Sequence, residues 1–283
     1  MSYAILCDST ADMLPEELEE QGIAMIPLTV TMDGEELVDQ VDITSEDFYE
    51  RMQAANDRPR TSQPTPLNFM QKYQELFDAG FEQIISIHIA GPLSGTVESA
   101  RLAASEFDAP IAVVDSCGAI CKTALLAIPA AHLRKQGASF DQAVASLEAM
   151  KPQMGFMLAC DTLDALVAGG RLSAKDAQEA GALNIKPIMS FEETGVLKPV
   201  GKARGMKGVL KNYVAEIERR TEEQGPQAVR FCHTGNMPAI EELKGMLSKS
   251  GVEYVDAGCV PAGITIATHT GMGAVGFSCM PAQ

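Results

Sequence analysis

The chain has 283 residues, 46% hydrophobic and only 5% aromatic, enough for a substantial core in one large or two ordinary domains. Its 22 basic and 38 acidic residues leave a formal charge of −16, a field that repels polyphosphates and argues against general nucleic-acid binding. No apolar run is long enough for an integral membrane segment; Met1 to Asp8 turns polar too early for a signal peptide; and seven scattered cysteines fit reduced thiols in a cytoplasm better than a disulfide framework.

Strand-like and helical runs alternate through the first half. Tyr3 to Cys7 reads as a strand, followed by a helix after Pro15, a strand over Ala24 to Met32, a helix from Ser45 and a helix over Pro66 to Ala79. The polar stretch Arg60 to Pro66 leads into that last helix, and its Ser and Thr residues fit a capping loop. Gln83 to Ala90 is a buried strand that breaks at Gly91-Pro92 into a helix from Ser94, and Ile111 to Val114 is a further strand. Such alternation predicts a doubly wound, mostly parallel sheet, with ligands beyond the carboxyl ends of its strands. The break at Gly91 to Thr96 carries the most chemistry. Small hydroxyls at Ser94 and Thr96, together with the unpaired N–H groups of a first helical turn, make a corner that holds an anion.

After a helix over Phe140 to Met150, Lys151-Pro152 reads as a boundary between domains at 1–152 and 153–283. The second half mixes shorter signals. Phe156 to Ala159, Lys186 to Phe191, Val229 to Thr234 and Tyr254 to Val260 read as strands, while Asp161 to Val167, Ala174 to Ala182, Met206 to Thr221 and Pro238 to Ser250 read as helices. Glu192 to Gly195 is a hairpin signal, so this half is expected to be mixed α/β with antiparallel pairing.

Gly271-Met272-Gly273-Ala274-Val275-Gly276 spells the dinucleotide fingerprint, but the chain that follows has no room for the required helix and second strand. Those glycines are expected instead to permit close approach of backbone. Cys117 and Cys121 lack a nearby histidine, so no metal site is expected. Ser94 and His269 invite an acyl-ester or thioester hydrolase reading, although Gly91-Pro92-Leu93-Ser94-Gly95 is not a nucleophile elbow. Gly169 to Ser173 and Lys202 to Lys207 are small basic islands, either solvated loops or places for a phosphate or an acidic partner. The 15 methionines suit core filling or an irregular apolar ligand surface.

Taken together, Asp8 to Asp12, Thr61 to Pro64, Leu93 to Thr96, Gly169 to Ser173, Asn184 to Ile188, Arg204 to Lys207, His233 to Asn236 and Thr268 to Gly271 resemble the ordered motif series of the DegV family along essentially the whole chain. The resemblance implies a two-domain α/β protein that holds a long-chain fatty acid between its domains, without cofactor or metal. It further implies a carrier, not an enzyme, which presents the bound acyl chain to a separate fatty-acid kinase for acyl phosphate formation. On the family pattern Thr61 and Ser94 contact the carboxylate, Gly95 supplies backbone and His269 helps nearby, while Arg171 and Arg204 stand at the mouth and engage kinase or phosphate. Ala90-Gly91, Met272 and Cys117 to Cys121 depart from the usual pattern. The hydrolase stays as the alternative, and a ligand sensor differs from a carrier only in its partner.

Overall fold

The computed structural model describes residues 3–180 and 185–282, so the expected helix end at Ala182 and the motif residue Asn184 lie outside the described residues. The first half runs β1 (Tyr3–Asp8), α1 (Pro15–Gln21), β2 (Ala24–Ile26), β3 (Thr29–Met32), β4 (Glu35–Val38), α2 (Ser45–Ala54), β5 (Arg60–Ser62), α3 (Pro66–Asp78), β6 (Gln83–His88), α4 (Thr96–Ala104), β7 (Ile111–Asp115), α5 (Cys121–Lys135) and α6 (Phe140–Met150). The second half runs β8 (Gly155–Ala159), α7 (Asp164–Ala168), α8 (Ala174–Ala180), β9 (Ile185–Phe191), β10 (Leu197–Arg204), α9 (Gly205–Gln224), β11 (Gln227–His233), α10 (Met237–Ser250), β12 (Tyr254–Pro261), α11 (Ile264–Thr270) and β13 (Val275–Pro281).

Strands β2-β1-β6-β7 form a wholly parallel sheet, with Ile5 opposite Ile85 and Ile85 opposite Ala112. Both faces are covered, and the period of two along β1 shows how. Tyr3, Ile5 and Cys7 join Leu126, Ala130 and Leu147 of α5 and α6, whereas Ala4 and Leu6 join Phe69, Tyr73 and Ala100 of α3 and α4. Helix α5 has no counterpart in the predicted elements. It is apolar nearly all round and carries Pro129 inside, so it lacks an amphipathic period and contains a residue that ordinarily ends helices.

The run predicted as one strand over Ala24 to Met32 is two strands in different sheets. Pro27 has no N–H for a ladder, and beyond it the chain turns into a three-stranded antiparallel sheet of order β4-β3-β5. This small sheet packs Val30, Met32 and Leu37 with Phe48 of α2 against Ile264 and Ala267 of α11.

The second half forms a six-stranded sheet of order β10-β9-β8-β13-β11-β12, antiparallel except between β11 and β12. Helices α9 and α10 cover one face. The predicted hairpin joins β9 to β10, with Gly195 at φ +82 and the Glu192 N–H donating to the Val196 carbonyl at 2.9 Å. Gly276 lies within β13, where a Cβ would come 2.9 Å from the Met157 carbonyl oxygen, so the glycine serves strand contact. The sheet's other face meets the carboxyl end of the parallel sheet in one apolar cluster that includes Ile89, Ile120, Phe156, Leu158 and Leu197. Polar ties reinforce this junction: buried Arg230 makes a bidentate pair with Glu17 at 2.8 and 2.7 Å, and the Tyr49 hydroxyl donates to the Ala262 carbonyl. All seven cysteines are free thiols.

Candidate functional site

The corner after β6 is built on a buried polar chain. Asp8, at the end of β1, accepts from the Ile89 N–H at 2.9 Å and lies 3.0 Å from His88 Nδ1, while its other oxygen accepts from the Thr10 N–H at 3.0 Å. His88 Nε2 lies 2.6 Å from Ser86 Oγ, which reaches the Tyr73 hydroxyl at 2.9 Å. Asp8, Ser86, His88 and Tyr73 are 0% exposed, so this Asp–His–Ser series fixes the strand ends and meets no substrate. The next turn is held by Asp115, which accepts from the N–H groups of Gly91 at 3.0 Å and Cys117 at 2.7 Å.

Helix α4 starts at Thr96, two residues later than predicted, with Gly95 as N-cap and no side-chain cap bond. Ser94 Oγ stands before it, 2.8 Å from Thr96 Oγ1 and 3.4 Å from the Thr96 amide nitrogen. The first-turn amides after Gly95 have no intrahelical acceptor. A Cβ on Gly95 would sit 2.4 Å from Gln63 Oε1, so glycine lets the Thr61 to Gln63 strand end press against the corner.

Thr61, Ser94, Arg171 and His269 converge on one narrow cleft of about 60 Å³. Its apolar wall combines Ile89, Leu93 and Ile120 of the first half with Phe156, Phe191 and Leu197 of the second. Each polar residue arrives on a different element. Thr61 comes on β5, placed by pairing with Val30, and Ser94 comes on the corner. Arg171 follows α7 and donates from Nε to the Leu93 carbonyl at 3.0 Å and from Nη1 to the Gly169 carbonyl at 2.6 Å. His269 lies in the last turn of α11, its Nε2 2.9 Å from Thr61 Oγ1. Gly95 backs Ser94 without lining the cleft, and Arg204 is an exposed residue at the start of α9, away from the cleft lining.

The cleft is mostly apolar, with the charges of Arg171 and Arg58 beside His269. Burial, then the charges of Arg171 and Arg58, push the His269 pKa down to about 4, so its ring is neutral at pH 7. Its Nδ1 is buried without a hydrogen-bond partner. Burial also pulls the Arg171 guanidinium below its ordinary range. Ser94 pairs with Thr96 and His269 with Thr61, so the geometry does not join the serine and histidine on which the hydrolase alternative rests.

Several lining residues escaped prediction. Thr265, Ile266 and Thr270 flank His269 on α11, and the spacing of four from Thr265 to His269 is the signal that could have placed both on one helical face. Phe191 and Ile120 carry no comparable signal, because both are ordinary apolar residues in sequence.

The sequence model of a family described as "Uncharacterised protein, DegV family" matches residues 2–282. A DegV domain-containing protein of Deinococcus radiodurans is 35% identical over 282 residues, covering 99% of each chain. Among solved structures, a fatty-acid-binding DegV-family protein from Thermus thermophilus superimposes with a TM-score of 0.92 at 30% identity over 100% of both chains. DegV of Bacillus subtilis, described as a fatty acid binding protein, gives 0.88 at 30% identity over 99% of each. A stearic-acid-binding protein of Eubacterium ventriosum gives 0.85 at 26% identity over 99% of this chain and 98% of its own.

Proposed function

The chain belongs to the DegV family, and from that premise we propose that it binds a long-chain fatty acid, with the carboxylate at Thr61, Ser94 and His269 and the tail along the apolar wall of the cleft. The observation that carries this reading is the convergence of those three residues with Arg171 on one cleft whose remaining lining, Thr265 and Thr270 apart, is apolar. A carboxylate entering such a place is costly unless several donors meet it. The Ser94 hydroxyl, the Arg171 guanidinium and the Thr61–His269 pair are placed to supply them, and with the ring neutral the pair offers the ligand a single proton, from the Thr61 hydroxyl or from Nδ1 according to the tautomer. The tail contributes roughly 0.8 kcal/mol for each CH₂ buried. The cleft's volume of about 60 Å³ is well below the roughly 300–1,000 Å³ of occupied small-molecule sites. Tail entry therefore parts the apolar wall, where Phe156 and Phe191 pack with centroids 4.6 Å apart and planes tilted by 42°.

The same reading divides the chain near Lys151-Pro152 into two domains with the ligand between them, and treats the protein as a carrier, the lipid-binding subunit of a fatty-acid kinase system. Support for the kinase partner comes from the basic island of Lys202, Arg204 and Lys207 at the start of α9, exposed in a strongly acidic protein, and from Arg171 beside the head-group end. The test is denaturing mass spectrometry of the purified protein with identification of the released small molecules. A stoichiometric fatty acid is expected; an empty protein that also fails to take up added fatty acid overturns the reading. Arg204→Ala is expected to spare lipid binding and impair acyl phosphate formation by the kinase, and unaltered turnover removes Arg204 from the partner surface.

A further inference from the structure

A second, open hollow of about 500 Å³ lies among the turn after β1, the start of α1, the β4–α2 connection and the N-terminus of α11, and the fatty-acid reading leaves it unused. Its lining carries Asp12, Glu16, Asp39, Asp42, Glu46 and Asp47, with no lysine, arginine or histidine among the described lining residues. Rim carboxylates alone are an ordinary solvated face. Asp12 is not on the rim: it is 3% exposed, and neither of its carboxyl oxygens has a hydrogen-bond partner of good geometry, although the Gly263 N–H lies near. Its neighbour Asp39, 0% exposed, is satisfied by the Ser9 hydroxyl at 3.0 Å and the Ile264 N–H at 3.2 Å. A Cβ on Gly263 would come 2.7 Å from Asp12 Oδ1 and 3.0 Å from Asp39 Oδ1, so the glycine lets both carboxyls press against the start of α11.

A buried carboxyl without partners is costly, and a polar ligand that completes it removes the cost. The ligand must bring positive charge and N–H donors. Among the described residues no group of three or more His, Cys, Asp or Glu is arranged to hold a metal ion, and the breadth of the hollow favours an organic cation over a bare ion. The room suits a small molecule of several bonded atoms, and exposed Leu14 and Val41 at the rim offer contact to methylene groups. We propose that this hollow binds a linear alkylamine polycation, one ammonium group reaching Asp12 and the others meeting the rim carboxylates of Glu16 and Glu46.

Binding is coupled to a proton. Burial, then the charge of Asp39, hold the Asp12 carboxyl well above the usual carboxylate range, with Cys121 and Asp8 adding to the effect. Tyr49, Cys232 and Arg230 also face its charge. An arriving ammonium favours the ionised form, so binding draws off whatever proton Asp12 carries and affinity rises with pH.

The experiment is isothermal titration calorimetry with spermidine at constant ionic strength, in two buffers of different ionisation enthalpy. Saturable 1:1 binding is expected, with a buffer-dependent heat that reports proton release. Asp12→Asn should weaken it about tenfold or more and remove the buffer dependence, by loss of a charge-assisted contact. Glu46→Gln, an exposed change that cannot disturb the core, should weaken it severalfold and leave the proton release intact. Displacement by sodium chloride or magnesium at equal ionic strength, wild-type affinity in both variants, or binding of a lysine-rich peptide where spermidine fails would each overturn the proposal.

Discussion

Replacing His269 by asparagine isolates one proton whose behaviour the structure sets. In the folded, ligand-free protein the His269 pKa stands at about 4, against an ordinary value of 6.5, chiefly because burial penalises the charged ring. The folded state therefore declines a proton that the unfolded chain accepts between those values, and stability falls as pH drops through this window. Above pH 6.5 the contribution is complete, and below pH 4 nothing further is lost. Between pH 7.5 and 5 the linkage amounts to about 2 kcal/mol. Urea denaturation of delipidated wild type and His269→Asn at the two pH values measures it directly. The wild type should lose about 2 kcal/mol more than the variant, because other buried groups, His233 and Asp12 included, titrate alike in both and cancel. A bound carboxylate raises the His269 pKa, so added fatty acid should shrink the difference. Equal losses in both proteins would refute the claim that His269 is held neutral in the cleft.

Thr61→Val and Ser94→Ala should each weaken fatty-acid binding by about 1.5–3 kcal/mol, the range for hydrogen bonds to a charged group, and unchanged affinity in a fluorescent displacement assay would place the carboxylate elsewhere. Gly169→Ala sets a Cβ 2.5 Å from His269 Nδ1, so the ring must give way and its contact with Thr61 is disturbed; reduced lipid affinity with a stability loss below about 3 kcal/mol is expected, and wild-type binding would count against the Thr61–His269 contact. Asp8→Ala strips the acceptor from the Ile89 and Thr10 amides and from His88, and should cost about 3 kcal/mol or more in urea unfolding; a loss near zero would mean that this buried network does not support the corner.

What was legible in the chain divides along physical lines. Strands β1, β6 and β7 announce themselves because a strand buried on both faces is a near-continuous apolar run, and the Gly91-Pro92 break marks the corner because proline and glycine end strands for backbone reasons. The family motif series joined Thr61, Arg171 and His269 into one proposed site, whereas local pattern offered them separately, in a capping loop, a basic island and a hydrolase pairing. Helix α5 and the short strands β4, β5 and β13 were not legible. A helix buried all round has no amphipathic period, and Arg60–Ser62 is a strand only because β3 lies beside it. The acidic hollow was equally invisible, since Asp12 and Asp39 are distant in sequence and differ from rim aspartates only in being buried.

The way the small sheet delivers Thr61 has a thermodynamic consequence. Thr61 and Ser94 belong to the first half, Arg171 and His269 to the second, and the two halves meet through the apolar cluster and the Arg230–Glu17 pair. A carboxylate held by Thr61 and His269 together is bound only while the halves are docked, so ligand affinity contains the docking equilibrium and the ligand in turn stabilises docking. Helix α11 sits at the centre of that linkage. Asp39 holds the Ile264 N–H at its start, and His269 meets Thr61 in its last turn. The Arg171 link to the Leu93 carbonyl adds a second crossing at the head-group end. Weakening docking at a distance, as by Glu17→Ala, should therefore lower fatty-acid affinity although Glu17 touches no part of the cleft, and fatty acid should restore part of the stability that the substitution removes. A Glu17→Ala protein with reduced stability and undiminished affinity would show that the cleft forms without the docking contact.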